Sequence, residues 1–123
     1  SFAPPPCYNS IINKQQHTTM TNLTQTEWEE RLAADKDATI LDVRTQAECN
    51  LGMQEHARCI DIFDRESFIR TVDRLDKSGN YYVYCRSGNR SSMACSLMEE
   101  MGFRHIYNLI GGMMNWHGKV ILP

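Results

Sequence analysis

Short runs of strand-forming residues alternate with stretches of helical periodicity through most of this chain, and that alternation limits the possible folds more than any other feature. Thr39-Ile40-Leu41-Asp42-Val43 is an apolar run ending in charge, as in a buried parallel strand whose carboxyl end meets a functional edge. Arg58-Cys59-Ile60-Asp61-Ile62, Tyr81-Tyr82-Val83-Tyr84 and His105-Ile106-Tyr107-Asn108-Leu109 read as further strands. Helical patterns lie between them. Thr24 followed by Glu27 forms a capping box, opening a helix that puts Trp28, Leu32 and Ala33 on one face and ends near Asp35. Phe68, Ile69, Val72 and Leu75 recur at helical spacing between Asp64 and Leu75, and Ser78-Gly79-Asn80 stops that pattern. Met93, Ala94, Leu97, Met98 and Met101 form a third stripe, closed by Gly102. Alternating strands and helices imply right-handed crossovers and a mainly parallel sheet covered on both faces, the α/β class. Ligands of such sheets gather at the carboxyl ends of the strands.

Length and composition narrow the function classes. The 123 residues suit one domain, and the 41% hydrophobic and 23% charged content is that of a globular protein. Residues 20–123 carry the patterning and are expected to form a single domain; residues 1–19, with Pro4-Pro5-Pro6, read as an extension outside the core. A formal net charge of -2 offers no global basic excess, so nucleic acid is not the expected partner. No apolar run approaches the roughly 20 residues needed to cross a bilayer, so no membrane partner is expected either. The five cysteines are an odd number without C-x-x-C spacing, which favours reduced, individually placed thiols and hence the cytoplasm. The start at Ser1 leaves export after removal of a leader as the alternative. No feature of the sequence fixes an oligomeric state.

The reactive chemistry is expected at Cys85. It stands at a strand end and is followed by Arg86-Ser87-Gly88-Asn89-Arg90-Ser91 and then a helix, so several backbone N–H groups can point at one sulfur. Gly88 permits backbone angles other residues resist, Asn89 tolerates left-handed geometry, and the helix adds the positive end of its dipole. The thiolate is the nucleophile, and such surroundings lower a cysteine pKa below the free value of about 8.5. Arg86 and Arg90 can attract an anionic substrate, while Ser87, Ser91 and Ser92 offer hydroxyls. A strand-ending cysteine is more often a small buried hydrophobe, but two arginines and a glycine turn make poor company for an inert thiol.

Three segments together resemble the rhodanese family of single-domain sulfurtransferases, over roughly Leu23 to Pro123. Ile40-Leu41-Asp42-Val43-Arg44 with Glu48 looks like its early strand signature, and Tyr82-Val83-Tyr84-Cys85-Arg86-Ser87-Gly88-Asn89-Arg90-Ser91 looks like its active-site segment. Leu109-Ile110-Gly111-Gly112, then Trp116 and Gly118, is similar to its carboxyl-terminal signature. The resemblance implies a central, mostly parallel five-stranded sheet flanked by helices on both faces. It also implies a ping-pong reaction in which Cys85 carries sulfane sulfur as a persulfide, with no metal or organic cofactor. The donor would be a small sulfur-containing anion such as thiosulfate or a protein persulfide, and the acceptor cyanide or a thiol. Loop N–H groups would hold the persulfide, Arg86 and Arg90 would orient the donor, and Ser87 or Ser91 would assist. Asp42 and Arg44 would support the site as a structural ion pair. Where the family commonly has Gly-His-Ile-Pro-Gly-Ala, this chain has Gly52-Met53-Gln54-Glu55-His56-Ala57, which leaves that turn undefined.

Two rival functions share the expected fold. One is a phosphatase or arsenate reductase, whose loop resembles this one but sets five residues between cysteine and arginine; here four separate Cys85 from Arg90, which suits a sulfur better than an oxyanion. The other is a non-catalytic docking or regulatory module, a role in which the cysteine is often lost. Other candidates have plainer readings: Met93, Met98, Met101, Met113 and Met114 as core packing rather than soft-metal ligands, and His17, His56, His105 and His117 as surface or capping residues. Cys95 reads as a packed helix residue, and Cys49 and Cys59 as structural thiols flanking a turn.

Overall fold

The computed structural model describes residues 20–123; the expected extension, with Cys7 and His17, lies outside them. Five strands form one sheet: β1 (Met20–Leu23), β2 (Ala38–Asp42), β3 (Ala57–Cys59), β4 (Asn80–Tyr84) and β5 (His105–Leu109). Their order is β1-β5-β4-β2-β3, and all neighbouring pairs run parallel. Four α-helices connect them: α1 (Gln25–Ala34), α2 (Gln46–Asn50), α3 (Arg65–Asp73) and α4 (Asn89–Glu100), and a 3₁₀ turn at Gly112–Asn115 follows β5.

The two-residue period of β4 divides the core. Tyr81 and Val83 join Leu41, Phe68, Val72, Ala94, Cys95, Met98 and Ile106 on the face covered by α3 and α4. Tyr82 and Tyr84 point the other way, against Trp28 of α1, Ile40 and Leu109. Trp28 meets the Tyr82 ring edge-on at a centroid distance of 5.4 Å. The strand is therefore apolar on both faces because helices lie on both faces.

Most elements stand where the patterning puts them. Thr24 and Glu27 close both halves of the capping box, with the Thr24 N–H donating to Glu27 Oε1 at 2.9 Å. The strand expected over Arg58–Ile62 pairs with β2 only as far as Cys59, and Ile60 and Ile62 then continue as a looser run, their N–H groups donating to Asp42 O and Val43 O. Two elements were not foreseen. β1 is an edge strand with only Leu23 buried, so it lacks an apolar alternation. α2 is too short to show a stripe, although its Thr45–Glu48 capping box repeats the signature of α1.

Three expectations about side chains change. Cys49 and Cys59 are not individual thiols: the structure joins them in a disulfide, because α2 turns back over the end of β3 and brings their Cα atoms to 6.6 Å. Met93 and Met114 are exposed rather than packed, at 59% and 64%. Met93 lies at the solvent edge of the α4 stripe, whereas Met98 is fully buried. The turn over Gly52–Ala57 is also fixed. Met53 bridges Ile121 antiparallel, and Gln54 is buried, accepting from Trp28 Nε1 at 3.0 Å.

Candidate active site

The sheet order makes β4 the central strand, and Cys85 follows its last residue directly. Gly88 takes φ 112°, a left-handed conformation that turns the chain back, and as N-cap of α4 it supplies no side-chain cap. The orphan amides of the helix start are thus left to face the sulfur. Gly88 N donates to Cys85 Sγ at 3.0 Å. The Ser91 hydroxyl lies 3.4 Å from Sγ and 3.2 Å from Gly88 O, so one proton sits between two acceptors.

Cys85 is completely buried, and burial alone would push its thiol pKa up. Hydrogen bonds from the Ser91 hydroxyl and from the amides of Ser91, Gly88 and Ser87 outweigh that and hold it below the ordinary thiol value. Cys95, one helical turn beyond Ser91, has no such donors, and burial pushes its thiol up to about 12. The loop thus selects one of two buried thiols for ionisation.

A second layer holds the loop from behind. Met113 N donates to Cys85 O at 2.9 Å and Met114 N to Arg86 O at 2.8 Å. Gly112 is pressed so closely against these carbonyls that a Cβ would collide with both oxygens. A groove of about 500 Å³ opens beside the loop, lined by Arg44, Glu48, Leu51, Arg86, Met113 and Met114 among others.

The loop at the carboxyl end of the central parallel strand is thus a donor-rich cradle for one sulfur, and in comparison with known proteins residues 24–119 fit the rhodanese-like domain. The chain belongs to the rhodanese-like domain family. A sulfurtransferase of Allochromatium vinosum is 33% identical over 95 residues, covering 76% of this chain and 86% of that protein. The tRNA uridine(34) hydroxylase of Pelagibacter ubique is 30% identical over 86 residues, 70% of this chain but 29% of that protein. The crystal structure of a rhodanese-like domain protein from Staphylococcus aureus superposes with a TM-score of 0.73 at 27% identity, covering 85% of this chain and 99% of that one. The family is one of sulfurtransferase-type enzymes.

In this rhodanese-like domain the two arginines of the loop occupy different settings. Arg86 is exposed and lines the groove. Arg90 turns sideways and grips Glu48 with both guanidinium nitrogens, Nη1–Oε1 at 2.6 Å and Nη2–Oε2 at 2.8 Å, while its Cζ lies 5.2 Å from the Phe63 ring centroid. The Arg90 hydrogen bonds, with help from Thr45, hold the Glu48 carboxyl at about 2 against the burial that would raise it. Asp42 and Arg44 are placed together as a buried pair, Nη2–Oδ2 at 2.6 Å, with Arg44 Nη2 also donating to Gly52 O at 2.6 Å. Ser87 and Asn89 have exposed side chains, and Ser87 acts through its amide.

Glu48 belongs to the site although its sequence setting does not place it there. The signal was present, since Thr45-Gln46-Ala47-Glu48 is a capping box, but nothing in the sequence tells that the same carboxylate also reaches Arg90 across 42 positions.

Proposed function

We propose that this protein moves sulfane sulfur through a persulfide on Cys85, taking it from a small anionic donor such as thiosulfate and passing it to cyanide or a thiol. The observation that carries this reading is the donor shell on Cys85 Sγ: Gly88 N at 3.0 Å, the Ser91 hydroxyl at 3.4 Å, and further amides that together outweigh burial. A shell that stabilises a thiolate serves equally for the anionic terminal sulfur of a persulfide.

In the first half-reaction the Cys85 thiolate attacks the outer sulfur of thiosulfate. The new S–S bond forms as the donor's S–S bond breaks, and sulfite leaves with its electron pair. In the second, the acceptor attacks the terminal sulfur and the Cys85 thiolate leaves, restored. Neither half needs an oxidant. Arg86, exposed beside the groove, meets the donor's negative charge, and Arg90 holds the first turn of α4 in place. The four-residue spacing between Cys85 and Arg90 favours this over hydrolysis of a phosphate or reduction of an arsenate.

The test is a thiosulfate-to-cyanide assay coupled to mass spectrometric mapping of Cys85. We expect one added sulfur atom on Cys85 after thiosulfate and its loss after cyanide, with both abolished in Cys85→Ser while the fold persists. Turnover retained in that variant would overturn the proposal, and a Cys85 that never takes up sulfur would favour a docking module. Arg86→Ala should raise the KM for thiosulfate and leave kcat nearly unchanged.

A further inference from the structure

The Cys49–Cys59 disulfide plays no part in the chemistry just described, yet it lies one residue from the carboxylate that anchors the loop. Cys49 follows Glu48 in α2 and is fully buried, while Cys59 ends β3 and is half-buried. α2 spans only five residues, far fewer than a helix needs to hold itself in water. Its position therefore depends on its ties: the Thr45–Glu48 capping box, the bond from Cys49 to Cys59, and the grip of Glu48 on Arg90. The last tie leads to the reactive sulfur. Arg90 is the second residue of α4, whose first-turn amides and Ser91 hydroxyl face Cys85 Sγ, and the Arg90 charge interacts with Cys85 itself.

We propose that Cys49 and Cys59 form a redox site that controls the reactivity of Cys85 by fixing Glu48, the positioning residue for Arg90 and the loop. With the disulfide formed, α2 is bolted to the sheet edge and the Glu48–Arg90 pair holds the first turn of α4 in register with the sulfur. Reduction by a dithiol releases it. A thiolate of the dithiol attacks Cys59, the more accessible sulfur, and Cys49 leaves as thiolate and takes up a proton. The second thiol of the reductant then displaces Cys59, giving two protein thiols and one oxidised, cyclic reductant. Once α2 has lost its covalent tie to β3, the pair loosens and the donor shell of Cys85 loses its aim. The inference rests on Cys85 being the reactive thiol, not on the identity of the sulfur donor.

The full chain is tested in both states, as prepared without reductant and after dithiothreitol treatment followed by anaerobic removal of the reductant. Peptide mapping records the Cys49–Cys59 bond, and iodoacetamide labelling of Cys85, followed by mass spectrometry against pH, records the thiolate without requiring sulfur transfer. Reduction is expected to slow Cys85 labelling at neutral pH and thiosulfate turnover by roughly fivefold, the lower end of typical coupling between two sites, and to move the labelling profile to higher pH. The Cys49→Ser/Cys59→Ser variant should start at the reduced level and ignore dithiothreitol, and Glu48→Gln should abolish the response while its disulfide still forms. Identical labelling profiles for the two states of the unaltered protein would overturn the proposal, whether or not the double variant folds. So would mapping of Cys49 and Cys59 as free thiols in protein never exposed to reductant. Absence of thiosulfate turnover in both states, with a labelling profile that still shifts, would refute the proposed substrate and leave the redox site standing.

Discussion

At the scale of single residues, the site is a contest between burial and hydrogen bonding, and Cys85 and Cys95 show its two outcomes. For Cys85 the donors win, and Ser91 is the side chain among them. We predict that Ser91→Ala slows iodoacetamide labelling of Cys85 at neutral pH by about tenfold, since a hydrogen bond to a charged group contributes roughly 1.5 kcal/mol or more. Labelling as fast as in the unaltered protein would show that the amides suffice. Arg44 is buried against Asp42, which has no exposure at all. Arg44→Ala strands that carboxylate and also frees the Gly52 carbonyl, so the expected cost is about 3–5 kcal/mol in urea unfolding. The Cys85 loop was legible from its own residues, because a strand end, a glycine turn and a helix start follow one another along the chain, and the Asp42–Arg44 pair was legible through the family resemblance. The Glu48–Arg90 pair was not, because it joins α2 to α4 through tertiary packing alone.

At the scale of elements, α2 carries more weight than its five residues suggest. Its Glu48 side chain caps Thr45 and grips Arg90, which gives the acid sensitivity of the protein a definite sign. Glu48 is held at about 2 in the folded protein against an ordinary 4.5, so its stabilisation is fully present above about 4.5 and is lost as pH falls from there through 2. Urea unfolding between pH 6 and pH 2 should therefore show a steeper acid loss in the unaltered protein than in Glu48→Gln. Parallel curves would mean that the Arg90 contact does not persist in solution. Elements with a strong apolar period, such as α3 and β4, could be placed from sequence within two residues, whereas β1 could not. An edge strand that buries one residue in four is defined by its partner β5, not by its own pattern.

At the scale of the molecule, the parallel sheet and its two-sided core follow from the alternation of elements, but the strand order β1-β5-β4-β2-β3 does not, since the same alternation permits other orders. That order sets Cys85 at the end of the middle strand, with two strands on either side. A nucleophile on a peripheral loop can be lost or exposed while the rest of a protein stays folded. Here the backbone leading into Cys85 is hydrogen-bonded to β2 and β5 and packed under Trp28 on one face and Phe68 on the other, so no partial opening can release it cheaply. The amides of β4 should consequently be among the last to exchange with deuterium, and the enhanced labelling of Cys85 at neutral pH should persist in urea until the global transition and be lost with it. The reactive thiol doubles as a reporter of the whole domain: while its enhanced reactivity at neutral pH survives, so does the fold.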